Sequence, residues 1–225
     1  MNCILFALLV TLFTIPFISA EELLENGSFE TGDITGWNYW ETYPWDGDGA
    51  PVESPTNVTI AIPGEIGTPA PLATSGILSL AQQINSYGTA RGGLYQEVKV
   101  TAHTPYLLTG HMAFYGDDSG DITLLGILDS TWNPAHALTT HNKASINGNP
   151  SSWIEVFLAI TPSKNVLTVF TETRQDWLHG HAAGWYDNLS LLPAHEKTKY
   201  FASQHPKKTS INDNEQKQMT EKKTR

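Results

Sequence analysis

Seven tryptophans and eight tyrosines are spread through this chain, and their rings suit the apolar C–H faces of a pyranose. Amides and carboxylates nearby can then bond the sugar hydroxyls. The densest run is Trp37-Asn38-Tyr39-Trp40-Glu41-Thr42-Tyr43-Pro44-Trp45-Asp46-Gly47-Asp48. Trp37 and Trp40 fit core positions, whereas Tyr43 and Trp45, beside Pro44 and an acidic turn, are expected to be exposed. Trp132 follows Asp129-Ser130-Thr131, and Trp177 follows Arg174-Gln175-Asp176, so both stand where a strand gives way to a loop. Tyr43, Trp45, Trp132 and Trp177 are therefore the stacking candidates, with Gln96 and Arg174 as polar partners and Arg91, Glu172 and Asp176 as further ones. Trp153 and Trp185 lie inside apolar strands and are expected in the core.

Other chemistries have thinner support. His179-Gly180-His181 could ligate a transition metal, but no third nitrogen ligand is placed by the sequence, and a solvated turn explains the pair as well. Asp117-Asp118-Ser119-Gly120-Asp121 is dense in acids yet lacks the downstream glutamate of a calcium loop, so it reads as an acidic hairpin turn. No Gly-x-Ser-x-Gly, His-Glu-x-x-His, phosphate loop or dinucleotide fingerprint occurs. A hydrolase would need carboxylates paired across a cleft, for which Glu41, Asp46 and Glu172 are available. Asn26, Asn57 and Asn188 each open an Asn-x-Ser/Thr acceptor pattern.

The elements that position these groups begin after a secretory leader. Residues 1–20 carry an apolar run from Ile4 to Ile18 and end in Ile18-Ser19-Ala20, a small-residue cleavage pattern. The only cysteine, Cys3, lies inside it, so the remaining chain has no disulfide framework and no cysteine nucleophile. From Glu21 to Pro193 there are nineteen acidic residues against five basic ones: Arg91, Lys99, Lys143, Lys164 and Arg174. Such a surface repels nucleic acid and anionic membranes. Residues 194–225 reverse the sign, with eight Lys or Arg against four acids and few large apolar groups, the composition of a disordered tail.

Between Glu21 and Pro193, β-branched and aromatic runs are broken by Gly, Pro, Asn and Asp every eight to twelve positions. This spacing predicts one all-β domain, a sandwich or barrel. Strands are expected at Leu23–Phe29, Trp37–Thr42, Asn57–Ile62, Ile77–Ile84, Gly93–Val100, Tyr106–Tyr115, Ile122–Asp129, Ser152–Ile160, Val166–Glu172 and Ala183–Leu191. The strand ending at Val100, the turn Ala102-His103-Thr104-Pro105 and the strand from Tyr106 read as an antiparallel hairpin. Trp153–Ile160, Thr161–Asn165 and Val166–Phe170 repeat that grammar.

Three segments occur in a recognisable order: Asn26-Gly27-Ser28-Phe29-Glu30 with Gly36-Trp37, Leu94-Tyr95-Gln96-Glu97-Val98 with Tyr106, and Gly184-Trp185-Tyr186-Asp187-Asn188-Leu189-Ser190-Leu191. Together they resemble the galactose-binding-like jelly roll of the family 4, 9 and 22 group of carbohydrate-binding modules. The resemblance implies an antiparallel β-sandwich that binds a polysaccharide or other glycan without catalysis. It also implies a structural calcium ion (Ca2+) held by the opening Glu and closing Asp, here Glu30 and Asp187, although Asn188 stands where the family often has a second acid. The expectation is thus a secreted carbohydrate-binding protein. A cell-surface structural or adhesion domain contacting a partner protein, and a glycan-active hydrolase on the same fold, remain as alternatives.

Overall fold

Alternating residues with long β-branched and aromatic side chains favour strands that bury one face, and strands dominate the computed structural model. It describes residues 21–42, 56–61, 78–86, 90–116, 119–140, 143–146, 153–175 and 180–195. The elements are β1 (Asn38–Thr42), β2 (Thr56–Ala61), β3 (Ser79–Ser86), β4 (Ala90–Lys99), β5 (Tyr106–Gly116), β6 (Ile122–Leu128), α1 (Pro134–Thr139), β7 (Lys143–Ile146), β8 (Ile154–Ile160), β9 (Val166–Gln175) and β10 (Gly180–Pro193). They form two five-stranded antiparallel sheets, ordered β1-β4-β9-β6-β7 and β2-β3-β10-β5-β8. The fold is an antiparallel β-sandwich of the jelly-roll kind.

The core lies between the sheets. Leu94, Val98, Leu125, Ile127, Leu167 and Val169 come from the first, and Leu80, Leu108, Met112, Phe114, Tyr186 and Leu191 from the second. Each fully buried Leu, Val or Phe contributes about 1.5–3 kcal/mol, so these facing rows hold the layers together. A polar seam crosses the same interior. Gln82 Nε2 on β3 donates to Thr171 Oγ1 at 2.5 Å, and Thr173 Oγ1 on β9 donates to Gln82 Oε1 at 3.2 Å.

Three expectations change. Leu23–Phe29 is not a strand: Asn26 and Phe29 take positive φ (51° and 59°), and the segment closes one end of the sandwich in turns. Leu24 and Phe29 still plug the core. The expected hairpin of β4 and β5 is instead a crossing between sheets, because β4 pairs with β1 and β9 while β5 pairs with β10 and β8. The connection from β8 to β9 crosses likewise. The two connections bond to each other, His103 N–H to Pro162 O at 2.8 Å and Val100 N–H to Asn165 O at 3.2 Å. Finally, α1 and β7 are additional elements. Asn133 caps α1, accepting the Ala135 N–H at 2.9 Å, and Pro134 opens the helix with a φ already suited to it.

Candidate functional site

The outward side of the β1-β4-β9-β6-β7 sheet combines rings with charge. Residues opposite one another on antiparallel strands point the same way, so the registers define rows on this face. Asn38, Tyr95, Phe170, Gly126 and Lys143 form one row, and Thr42, Arg91, Arg174 and Ile122 another. Between them lie Trp40, Glu172, Leu124 and Ser145.

The rings assemble because two positions lack side chains. A Cβ on Gly126 would come within 2.2 Å of the Phe170 ring, so only glycine lets that ring lie across β6. A Cβ on Gly93 would sit 2.0 Å from the Thr171 carbonyl oxygen. Trp40 Nε1 donates to that same oxygen at 3.1 Å, and the Leu94 N–H turns to Thr171 Oγ1 at 3.0 Å. Trp132 then stacks on Tyr95, with centroids 4.5 Å apart and planes 8° from parallel. It also meets Trp40 at 5.1 Å and Phe170 at 5.7 Å.

The loop carrying Trp132 is fixed on three sides. Its N–H donates to Glu97 Oε1 at 2.7 Å, the Asp129 carboxylate accepts the Ser163 N–H at 2.9 and 3.0 Å, and Thr168 Oγ1 donates to Ser130 O at 2.7 Å. Ala137 of α1 closes over Leu124, Leu128 and Phe170. Trp40 and Phe170 are buried by this arrangement, while Tyr95 and Trp132 remain half-buried and reach solvent.

Beside the rings lies Glu172, only 2% exposed, with Arg91 Nη1 at 3.8 Å from its Oε1. Burial raises its carboxyl pKa above the ordinary glutamate value, against the opposing pull of Arg91, Lys143 and Arg174. The strand beneath is pinned from the core: Tyr186 Oη donates to Glu172 O at 2.7 Å and lies 3.1 Å from Leu124 O, with Thr123 Oγ1 alongside. Burial pushes the Tyr186 hydroxyl pKa far up, so it stays protonated and keeps donating.

Of the residues expected from sequence, Trp132 and Arg174 stand on this face, with Arg91 and Glu172. Gln96 points the other way. It is 6% exposed, and its amide clamps the Glu25 backbone, accepting from Glu25 N at 2.8 Å and donating to Glu25 O at 3.0 Å. Tyr43, Trp45, Asp46, Asp176 and Trp177 lie outside the described residues, as do the leader at 1–20, Asp117, Asp118 and His179. Glu41 is turned to the Tyr39 hydroxyl, which donates to it. Trp37 is in the core as expected, and Trp185 is buried, but in a small cluster with Ala81, Ala113 and Ala183 on the outer side of the second sheet. Trp153 packs half-buried against that cluster. Trp40 and Tyr95 are the site rings that sequence reasoning did not single out as ligand groups.

Glu30 and Asp187 approach the same strand end. Glu30 Oε1 accepts the Leu78 N–H at 3.0 Å, just before β3. The β10–β3 ladder ends where Tyr186 pairs with Leu80, with Asp187 next along β10 and Ser79 next along β3. Asp187 is fully buried, with Oδ1 accepting the Asn188 N–H at 2.7 Å. The buried Ser79 Oγ has no hydrogen-bond partner. These hard oxygen donors fit the chemistry of Ca2+. Among the described residues no group of three or more His, Cys, Asp or Glu side chains converges as a metal site.

No protein-family model matches the chain, and no curated protein matches it. Solved structures do. A family 61 carbohydrate-binding module in complex with β-1,4-galactotriose aligns over 77% of this chain and 99% of its own, at 15% identity and a TM-score of 0.48. Carbohydrate-binding modules of the β-sandwich superfamily, described as promiscuous in specificity, align over 73% of this chain and 60% of theirs, at 13% identity and 0.49. The first family 22 xylan-binding domain of Paenibacillus barcinonensis Xyn10C aligns over 78% and 96%, at 14% identity and 0.45. These are likenesses of architecture, and function has to be argued from the chain's own side chains.

Proposed function

We propose that this chain is a secreted, non-catalytic carbohydrate-binding protein that seats a glycan on the outer face of the β1-β4-β9-β6-β7 sheet. The observation that carries the reading is the half-exposed Tyr95–Trp132 stack standing beside the Arg91–Glu172 pair. A pyranose needs both an apolar surface for its C–H face and charged or amide groups for its hydroxyls, and this face offers the two side by side. Calcium held by Glu30 and Asp187 is part of the proposal, as a clamp between the segment leading into β1 and the last strand.

Retention of the full chain on insoluble polysaccharides and soluble oligosaccharides tests it. Trp132→Ala should weaken retention at least tenfold, whereas Phe157→Ala on the other sheet should leave it unchanged. Retention unaffected by Trp132→Ala would reject this face as the site. A protein partner is the second reading, favoured by Phe157 and Ile154, 48% and 40% exposed on the edge strand β8. Loss of partner capture in Phe157→Ala, with a blank glycan panel, would favour that alternative. Among the described residues no helix is long and apolar enough to cross a membrane.

A further inference from the structure

An exposed carboxylate borders the ring pair of the proposed site. Glu97 follows Tyr95 by two residues on β4, so both side chains leave the sheet on its outer face. Glu97 Oε1 accepts the Trp132 N–H at 2.7 Å, which brings the acid against the residue whose indole stacks on Tyr95. Among the described residues Glu97 makes that one side-chain hydrogen bond and no ion pair, so its second oxygen remains an open acceptor. Asn38, exposed and directly across from Tyr95 on β1, adds an amide to the same row.

The charges around the rings set the sign of what they can hold. From Glu21 to Pro193 acids outnumber bases nineteen to five. The groove beside Glu97 is lined by Glu21, Glu22 and Glu25 together with Lys99. The other cations of this face stand off from the rings. Arg91, with Arg174 as its cross-strand partner, lies four residues from Tyr95, roughly 13 Å along β4. Lys143 lies three strands across in the Tyr95 row, roughly 14 Å away. Over such distances exposed charges are largely screened at physiological salt.

An aromatic face with a carboxylate at its rim is the combination that receives an ammonium group. The ring quadrupole attracts the cation, and the carboxylate gives it a charge-assisted hydrogen bond. Resting on the carbohydrate reading above, we propose that the ligand is a cationic glycan, a polymer of amino sugars with protonated free amines. Its pyranose lies against Tyr95 and Trp132, its ammonium group is held by Glu97, and the Asn38 amide bonds a ring hydroxyl. N-acetylation of the sugar removes the charge that Glu97 reads, so the acetylated polymer is discriminated against. The negative charge of the whole domain adds long-range attraction to a polycation, while Glu97 supplies the contact that tells the two forms apart.

The experiment titrates the full chain, at mildly acidic pH and physiological ionic strength, with glucosamine oligosaccharides and with N-acetylglucosamine oligosaccharides of the same length and linkage. Neutral galactan and xylan oligosaccharides are run alongside. The glucosamine series should bind at least tenfold more tightly than the acetylated one. Glu97→Gln keeps an oxygen for the Trp132 N–H but removes the charge, and it should weaken glucosamine binding at least tenfold. Glu97→Asp should recover part of the loss. A glucosamine preference that survives in Glu97→Gln would trace it to the charge of the domain as a whole and overturn the assignment to this site. Acetylated, galactan or xylan oligosaccharides binding as tightly as glucosamine ones would overturn the proposal and leave the carbohydrate reading intact. Binding of no glycan by the folded wild-type chain would overturn both. Thermal unfolding of each variant confirms that it is folded. Asn38→Ala serves as the second variant should Glu97→Gln fail to fold, with at least a threefold loss of glucosamine binding expected and no loss contradicting the site.

Discussion

Asp187 and Glu172 are both almost wholly out of solvent, 0% and 2% exposed, and they belong to opposite sheets. Their surroundings differ in kind. Asp187 bonds the backbone of the next residue at an interruption in the β10–β5 ladder, where Asn188 adopts φ 52°. Its carboxylate is part of how the chain turns. Glu172 instead faces charged side chains, and the backbone under it is secured by Tyr186 without using its carboxylate. Its environment can change without unmaking a strand. A buried acid tied into the main chain is a structural device, while one set beside the Arg91 guanidinium on an outer sheet face has an environment made of side chains alone.

Removing the first carboxylate should have the largest effect on stability. Asp187→Ala leaves the Asn188 N–H without its acceptor inside the fold, and should cost about 3 kcal/mol, measured by denaturant unfolding. For a domain of this size that is a fall in Tm of roughly 6–12 °C. A Tm within a degree or two of wild type would remove the contrast between the two acids.

Calcium should act on the same side of the comparison. At a free concentration a hundredfold above its dissociation constant, the ion would add about 2.7 kcal/mol to the folded state. Chelation should therefore lower the wild-type Tm, and Asp187→Asn should abolish the response. A chelator effect of equal size in Asp187→Asn would place any ion elsewhere.

Tyr186 links the core to the proposed binding face, so its hydroxyl should matter less for stability than for Glu172. Tyr186→Phe removes the donor to Glu172 O and should cost about 1–2 kcal/mol. It should also weaken glycan binding, which a purely structural hydroxyl would not do.

Glu172→Gln has the smallest expected effect on stability, under about 1 kcal/mol, and its signature lies in pH. Burial raises the folded-state pKa above the ordinary value of 4.5. The folded chain thus binds the proton more tightly than the unfolded one. Its contribution is fully present below the unfolded pKa and is lost as pH rises through the folded pKa. Arg91, Arg174 and Lys143 keep their charge across that range, so the window belongs to Glu172. Relative to Glu172→Gln, the wild-type chain should lose stability between acid and neutral pH. A variant destabilised equally at every pH would make Glu172 as structural as Asp187.

The strand pattern was legible because β-branched and aromatic runs are broken by Gly, Pro, Asn and Asp every eight to twelve positions, and nine expected strands fall within a few residues of β1 to β6 and β8 to β10. The partners were not. The turn at 101–105 looks like a hairpin loop, and only its bonds to Pro162 and Asn165 reveal a crossing between sheets. β7 escaped notice because four residues, Lys143–Ile146, are too few to show a period. The start of α1 was written in Asn133-Pro134, a cap followed by a first-turn proline, yet the helix is too short to show its own repeat.

Of the candidate site, Trp132, Arg174, Arg91 and Glu172 could be named from residue type. Their convergence could not, since it depends on which strands are neighbours. Tyr95 and Trp40 escaped for a further reason: both sides of β4 and β9 carry large or buried side chains, so alternation does not reveal which side looks outward. Gln96 shows the converse. An amide that clamps Glu25 has the same residue type as one that would bind a hydroxyl, and only its position on the core side separates the two.

The most direct test of the account is amide hydrogen exchange on the full chain, with and without saturating amounts of a glycan that it retains. The account predicts added protection in β4, β9 and the loop around Trp132, with no change in β5 and β8. Protection confined to β5 and β8 would contradict it and move the binding site to the opposite sheet.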